Sequence, residues 1–235
     1  MDEKALDALI EELEARVGSY EDRHEIEMVM GHYALRDNPR NMMKNLQFFA
    51  LEEPDVSVEW GDQGRFVGAE KVKAFFEREA RRLVYEGEYR VRWLTTPMIQ
   101  IALDRRTAKC VWVAPGAEAM VDPDGTPHQL WNFVRFAVDF IRVDGHWKIW
   151  HMRMFQDVRC DFEKGWAKDN YKWVYRGKHP ESEPCAPTYV NPVNPSFVQE
   201  AIPACPCPYE SWTDESWIFG REPLYGKKKN PNGVY

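Results

Sequence analysis

The sequence predicts an α+β fold, and three observations carry that reading. Apolar residues recur at helical spacing over the first fifty positions. From about residue 89 to 157 the period changes to two. The two regimes come in blocks, with helices first, then a short hairpin and one more helix, then a meander of long strands.

Residues 2–17 set Leu6, Leu9, Ile10, Leu13 and Val17 on one stripe among acidic positions, the pattern of an amphipathic helix. Gly18-Ser19 reads as its end. A second helix carries Ile26, Val29, Met30 and Tyr33 on one face. Asn38-Pro39 stops it, because the residue before a proline is pushed towards extended conformations. A third helical segment, about 40–51, shows Met43, Leu46, Phe49 and Ala50 on one side.

Val56, Val58 and Trp60 then alternate with Ser57 and Glu59, as in a half-buried strand. Gly61-Asp62-Gln63-Gly64 is a turn, and Arg65-Phe66-Val67 returns as a short strand. Residues 69–84 are helical again on the stripe Val72, Phe75, Phe76 and Ala80. The extended segment 89–103 is interrupted at Thr96-Pro97, where proline implies a bulge or a sheet edge. Segment 107–120 carries Cys110 and Trp112 and is kinked at Pro115-Gly116. After Asp122-Pro123-Asp124-Gly125 a strand covers 128–143, Asp144-Gly145 is a strong hairpin turn, and a last strand covers 146–157.

That last strand is apolar on both sides: Trp147, Ile149 and Phe155 alternate with Trp150, Met152 and Met154. A sheet with one solvated face shows a polar row instead, so a partner subunit or the rest of the chain must cover the second face. Residues 158–235 hold 10 of the 16 prolines, together with four tryptophans and six tyrosines. Disordered segments are poor in aromatics, so this extension reads as an irregular wrap, with a short helix at 194–200 or one capped by Thr213. The organisation is therefore an N-terminal helix (1–19), a barrel domain (20–157) and a Pro- and aromatic-rich extension (158–235).

A formal net charge of −7 argues against a nucleic-acid surface, which needs clustered Lys and Arg. Lys227-Lys228-Lys229 reads as a solvated run. No stretch approaches the roughly 18 apolar residues that cross a bilayer, and Met1-Asp2-Glu3-Lys4 lacks a signal-peptide layout. Five scattered cysteines imply reduced thiols and a cytoplasmic setting. Cys205-Pro206-Cys207 with Cys160 and Cys185 supplies four thiols but not the paired CxxC knuckles of structural zinc. No metal is expected. The fingerprints of nucleotide and phosphate loops are missing too, so no cofactor is expected.

The helix ending in a tyrosine and an acid, the Leu/Phe-rich segment after it, "VSVEWGDQGRFVGAEKVKAFFE" and "FVRFAVDFIRVDGHWKIWHMR" together resemble one family. It is the SnoaL-like branch of the nuclear-transport-factor-2-like superfamily, and the resemblance covers about residues 20–157. It implies a cone-shaped α+β barrel, three helices packed on a strongly curved antiparallel sheet, with a ligand pocket at the open end. The superfamily includes ketosteroid isomerase, scytalone dehydratase, limonene epoxide hydrolase, polyketide cyclases, a bile-acid 7α-dehydratase and non-enzymatic members. Fold therefore gives the ligand's place and not the reaction.

Tyr33 and Asp37 resemble the Tyr and Asp that dehydratase-branch relatives place near the end of the second core helix. Relatives space that pair by five residues, whereas here the spacing is four and Asn38 stands at the five-residue position. Tyr33 is either a pocket hydroxyl or a core tyrosine. Asp37 is either a helix-end group or a carboxylate whose pKa an apolar cone would raise. His151 and Arg153 share a strand face with Trp147, Ile149 and Phe155 by simple alternation, and need a ligand, a carboxylate or solvent there. With no histidine between Gly68 and Pro127, any histidine partner is His128 or His151. Asn132 interrupts an apolar row as a donor for a carbonyl, and Trp60 and Trp112 wall the cavity.

The expected activity is a cofactor-independent dehydratase or isomerase acting on a hydrophobic cyclic or aromatic molecule, with Tyr33, Asp37, His151 and Arg153 as catalytic groups. Trp60, Trp112, His128, Asn132 and Phe155 would bind the substrate. A non-catalytic binding or assembly module, and a polyketide cyclase or epoxide-hydrolase-like enzyme, are the alternatives. A homodimer or homotrimer is the expected assembly.

Overall fold

The computed structural model describes residues 2–38, 40–60, 63–81, 85–122, 124–169, 193 and 202–213. It opens with a single helix, α1 (Glu3–Leu35), which Asp2 caps by accepting from the Ala5 N–H at 2.8 Å. Gly18-Ser19 does not break this helix. A glycine inside a helix costs only about 1 kcal/mol, and here it makes room: a Cβ on Gly18 would collide with the Arg105 guanidinium. Arg105 pairs with Asp22 at 2.6 Å. Asp22 also accepts from the Trp147 indole at 3.1 Å and pairs with Arg142 at 3.2 Å, which ties the helix to the last hairpin.

The expected third helix is a 3-10 helix (Met42–Phe48). It leads into strands β1 (Ser57–Trp60) and β2 (Gly64–Val67) and helix α2 (Ala69–Ala80). The meander follows as β3 (Tyr89–Arg92), β4 (Thr95–Ile101), β5 (Thr107–Ala114), β6 (Gly116–Val121), β7 (Pro127–Val143) and β8 (His146–Asp161), closed by the short helix α3 (Trp166–Asp169).

The sheet runs β2-β1-β8-β7-β5-β4, with β6 also on β7 and β3 on β6. β7 is long enough to hold β5 along one half and β6 along the other, and the chain jogs between them at Pro115. Gly116 is required at that jog, since a Cβ would collide with the Val91 carbonyl and crowd that of Asn132. Pairing is antiparallel throughout except for β1, which runs parallel to β8. The chain reaches β1 already aligned with β8, the Ala50 N–H donating to the Ile149 carbonyl at 2.9 Å. The sheet is thus mixed but largely antiparallel, and the fold is the α+β cone expected. Pro97 falls where expected, in a register shift between Thr95 and Met98 on β4, which among the described residues pairs only with β5. Asp144 and Gly145 both adopt positive φ, 49° and 84°, as a two-residue type I′ hairpin requires.

Two further register shifts decide the location of the site. The β7–β8 register breaks between Asp139 and Phe140 and again between Phe133 and Val134, leaving Trp150 and Asp157 as the extra residues on β8. A one-residue bulge moves every following side chain to the other face. Trp147 and Ile149 point into the apolar core, and beyond the bulge Met152 and Met154 do so. His151, Arg153 and Phe155 therefore lie on the opposite face, which corrects the simple alternation.

Described residues of the chain's own extension pack against that outer face. The Leu103 N–H donates to the Tyr209 carbonyl at 3.1 Å, and the Asp104 N–H to that of Glu210 at 3.1 Å. The Trp212 ring packs on Trp150 at 4.7 Å, and the Val193 N–H donates to the Asp157 carbonyl at 2.8 Å. The helices anticipated at 194–200 and after Thr213 lie outside the described residues. Among the described residues no helix is long and apolar enough to cross a membrane.

Candidate functional site

At the open end of the cone, four elements bring polar side chains together. α1 contributes Tyr33 on the stripe it buries, and the residues just beyond it contribute Asp37. β1 contributes Trp60, β3 contributes Arg90 and Arg92 two positions apart on one face, and β6 contributes Glu118, which stands opposite Arg90 in the ladder. All but the half-buried Arg90 are buried, Tyr33 completely and Asp37 with 5 % of its surface exposed. Tyr33 is held edge-on between Phe49 and Phe136, at 6.3 and 6.2 Å.

Arg92 is the centre of the cluster. It donates to Asp37 in a close ion pair and to Glu118 at 3.1 Å, and its guanidinium stands 5.6 Å from the Trp60 ring. Arg90 faces the same two carboxylates at 3.7 Å (Asp37) and 3.6 Å (Glu118). Arg159 of β8 donates to the second Glu118 oxygen at 3.0 Å. Asn132 donates to Glu118 and accepts from Gln156 at 3.1 Å, so its amide orients Glu118.

The electrostatics separate the two carboxylates. Burial pushes the Glu118 carboxyl up, but Arg159, Arg92 and Arg90 and the Asn132 hydrogen bond together outweigh it and hold the group down at about 2. Glu118 is therefore a fixed negative charge. Burial, with the Asp37 charge next, pushes the Tyr33 phenol well above its ordinary value, so its hydroxyl stays protonated. Trp60 lies close enough to the Tyr33 hydroxyl to lower that pKa somewhat, yet the two polar atoms miss hydrogen-bonding geometry.

Among the buried polar atoms of this cluster, the Tyr33 hydroxyl, Trp60 Nε1, Arg92 Nε and Asp37 Oδ1 make no hydrogen bond within the structure. Orphaned groups of this kind are rare in folded proteins. Above the cluster opens a cavity of about 460 Å³, within the range of small-molecule sites. Arg90 and Glu118 form its floor, and Asn38, Arg40, Tyr85, Tyr89 and Met120 lie around it. Between the two candidate positions, Asp37 enters the cluster and Asn38 lines the cavity.

The other anticipated residues are placed elsewhere. His151 contacts Asp139 at 3.1 Å and Asp55 at 3.6 Å and stacks with Trp150 and Trp212 on the outer face. The nearby His151 ring holds the Asp55 carboxyl below its ordinary value. Arg153 pairs with Glu59 at 3.2 Å over the Phe155 ring, on that same outer face. Trp112 is packed in the core edge-on to Phe140, and His128 pairs with Asp122 at 2.8 Å near the surface. Arg90, Arg92, Glu118, Gln156 and Arg159 were missed. The period-two pair Arg90 and Arg92, and an isolated glutamate in the otherwise small and apolar run of β6, were the signals available. Among the described residues no three His, Cys, Asp or Glu side chains are grouped to hold a metal ion.

Residues 18–153 match the family model of the SnoaL-like domain. No curated protein gives a significant match. Among solved structures, LinA superposes with a TM-score of 0.52 at 11% identity, covering 72% of this chain and 99% of LinA. A hexachlorocyclohexane dehydrochlorinase, LinA type 2, gives 0.49 at 13% identity over 72% and 98% of the two chains. A provisionally assigned scytalone dehydratase from Novosphingobium aromaticivorans DSM 12444 gives 0.49 at 13% identity over 71% and 97%.

Proposed function

The chain belongs to the SnoaL-like family, and from that premise we propose that it is a cofactor-independent lyase or isomerase acting on a hydrophobic cyclic or aromatic small molecule. The observation that carries this reading is that set of orphaned polar atoms, three donors and one acceptor, buried beneath a cavity of about 460 Å³. A polar ring substituent meeting those atoms would satisfy them.

In this scheme Asp37 Oδ1 takes a proton from the carbon next to a carbonyl. The electron pair moves onto the carbonyl oxygen, where Arg92 Nε–H and the Trp60 indole N–H stabilise the enolate. For elimination, the C–O bond at the neighbouring carbon breaks and the departing hydroxyl takes the Tyr33 proton to leave as water. The proton on Asp37 then restores the Tyr33 hydroxyl. For isomerisation, Asp37 instead returns its proton to a different carbon. His151 and Arg153 have no part in it, and Glu118, held ionised, positions the arginines.

A second reading, ligand binding without turnover, is favoured by the arginines on Asp37, which already engage both of its carboxylate oxygens. One experiment tests both. Mass spectrometry of the purified protein under native conditions should reveal a bound ring compound, and Asp37→Asn should lower its turnover by about 10²- to 10⁴-fold. Unchanged turnover in Asp37→Asn would overturn the mechanism. A bound compound that the wild-type protein never converts would establish the binding module instead.

A further inference from the structure

The two arginines of β3 address the same pair of carboxylates in different ways. Arg92 makes a close pair with Asp37 and a 3.1 Å hydrogen bond to Glu118. Arg90 stands 3.7 and 3.6 Å from them, beyond hydrogen-bond length, with its guanidinium 6.0 Å from the Trp60 ring. Arg90 also lines the cavity, whereas Arg92 does not. Its side chain is thus the layer between the cavity and the buried Asp37.

Exchanging Arg90's partners is cheap for the protein. If its guanidinium turned into the cavity, Asp37 would keep Arg92, and Glu118 would keep Arg92 and Arg159. No buried carboxylate would be stranded, which is the usual large cost of opening such a pair. What a planar anion offers Arg90 is a match for its fork of two parallel N–H groups, whereas Asp37 and Glu118 stand 3.7 and 3.6 Å away. Glu86 and Glu88 also line the cavity and outnumber Arg40 there, so its wall carries no net attraction for anions. The selectivity resides at the floor.

We propose that Arg90 is the specificity-determining residue of the site and that the substrate is a ring compound bearing a carboxylate. That group replaces Asp37 and Glu118 as the partner of Arg90, draws the guanidinium outward, and uncovers Asp37 and Tyr33 to the ring. The inference rests on the reading of the cone as a ring-binding acid–base site.

The test is calorimetric titration of the full chain with naphthoate and with naphthamide, which share a shape and differ in charge. Wild-type protein should bind naphthoate at least about tenfold more tightly. Arg90→Gln should lose that preference, and Arg90→Lys, which retains the charge without the fork, should keep part of it. Equal binding of the two compounds by the wild type, or a preference that survives in Arg90→Gln, overturns the assignment and leaves the ring-binding site standing. If Arg90→Gln fails to fold, Arg90→Lys with undiminished preference overturns it equally. Binding of neither compound removes the ring-binding reading itself.

Discussion

On the inner face of the sheet Asp37, Arg92 and Glu118 form a buried charged cluster with orphaned atoms beneath a cavity. On the outer face Asp139 with His151, and Glu59 with Arg153, form another, roofed by Trp212. Both contain the residue types expected of catalysis, and both are fully buried. The difference lies in access. The outer His151 lies under Trp212 of the protein's own extension, while the inner cluster reaches a cavity through Arg90 and Glu118. Residue type therefore does not identify an active site here. The proposed site is set apart by the cavity that opens beside its charged cluster.

The sharpest way to break the comparison is to disable one member of each cluster. Asp37→Asn should abolish most turnover of the bound ring compound yet change the unfolding free energy by less than about 1.5 kcal/mol, because Arg92 retains Glu118. Arg153→Met should do the reverse, breaking the buried pair with Glu59 at a cost of roughly 3–5 kcal/mol and leaving ligand affinity intact. Denaturant unfolding and ligand titration of the two variants measure both effects. A crossed result, with Arg153→Met silent for stability and damaging to binding, would reverse the roles of the two faces.

Acid should distinguish the faces next. The Glu118 carboxyl is held at about 2 against an ordinary 4.5. A depressed folded-state pKa means that the charged form stabilises the fold. The contribution is complete above pH 4.5 and is lost as the pH falls through about 2. It amounts to about 3 kcal/mol. In Glu118→Gln the slope of stability against pH over that window should flatten. An unchanged slope would mean that the arginines do not hold Glu118 ionised. A smaller effect is expected from Trp212→Ala on the outer face. Losing its stack on Trp150 should lower stability by about 2 kcal/mol without altering ring-compound affinity.

Much of the architecture was legible because it depends on local chemistry. Asp144-Gly145 forces a tight hairpin, Pro97 marks an edge strand, and the stripe of Val72, Phe75 and Phe76 faces the core. Tyr33 was legible too, since its helix buries one face and carries that hydroxyl into it. What remained hidden depends on the neighbours of a residue. Nothing in the composition of β8 betrays the extra residue Trp150, yet that bulge alone moves His151 and Arg153 out of the cone. Gly18 reads as a break until Arg105, far along the chain, is seen to need its space. Arg90 and Arg92 stand in plain alternation, but their importance emerges only when β6 sets Glu118 opposite them.

His128 supplies the smallest and cleanest control on the comparison. It was the other histidine available to serve as a base, and it belongs to neither cluster. Its side chain is about a third exposed and pairs with Asp122, which is more exposed still. Surface ion pairs of this kind contribute at most about 1 kcal/mol. His128→Gln should therefore change stability by no more than that, and should leave ring-compound affinity and turnover untouched. Should turnover instead fall a hundredfold with the fold intact, a proton would have to pass through His128. The site would then extend along β7 beyond the floor formed by Arg90 and Glu118, and Asp37 would no longer suffice as the base.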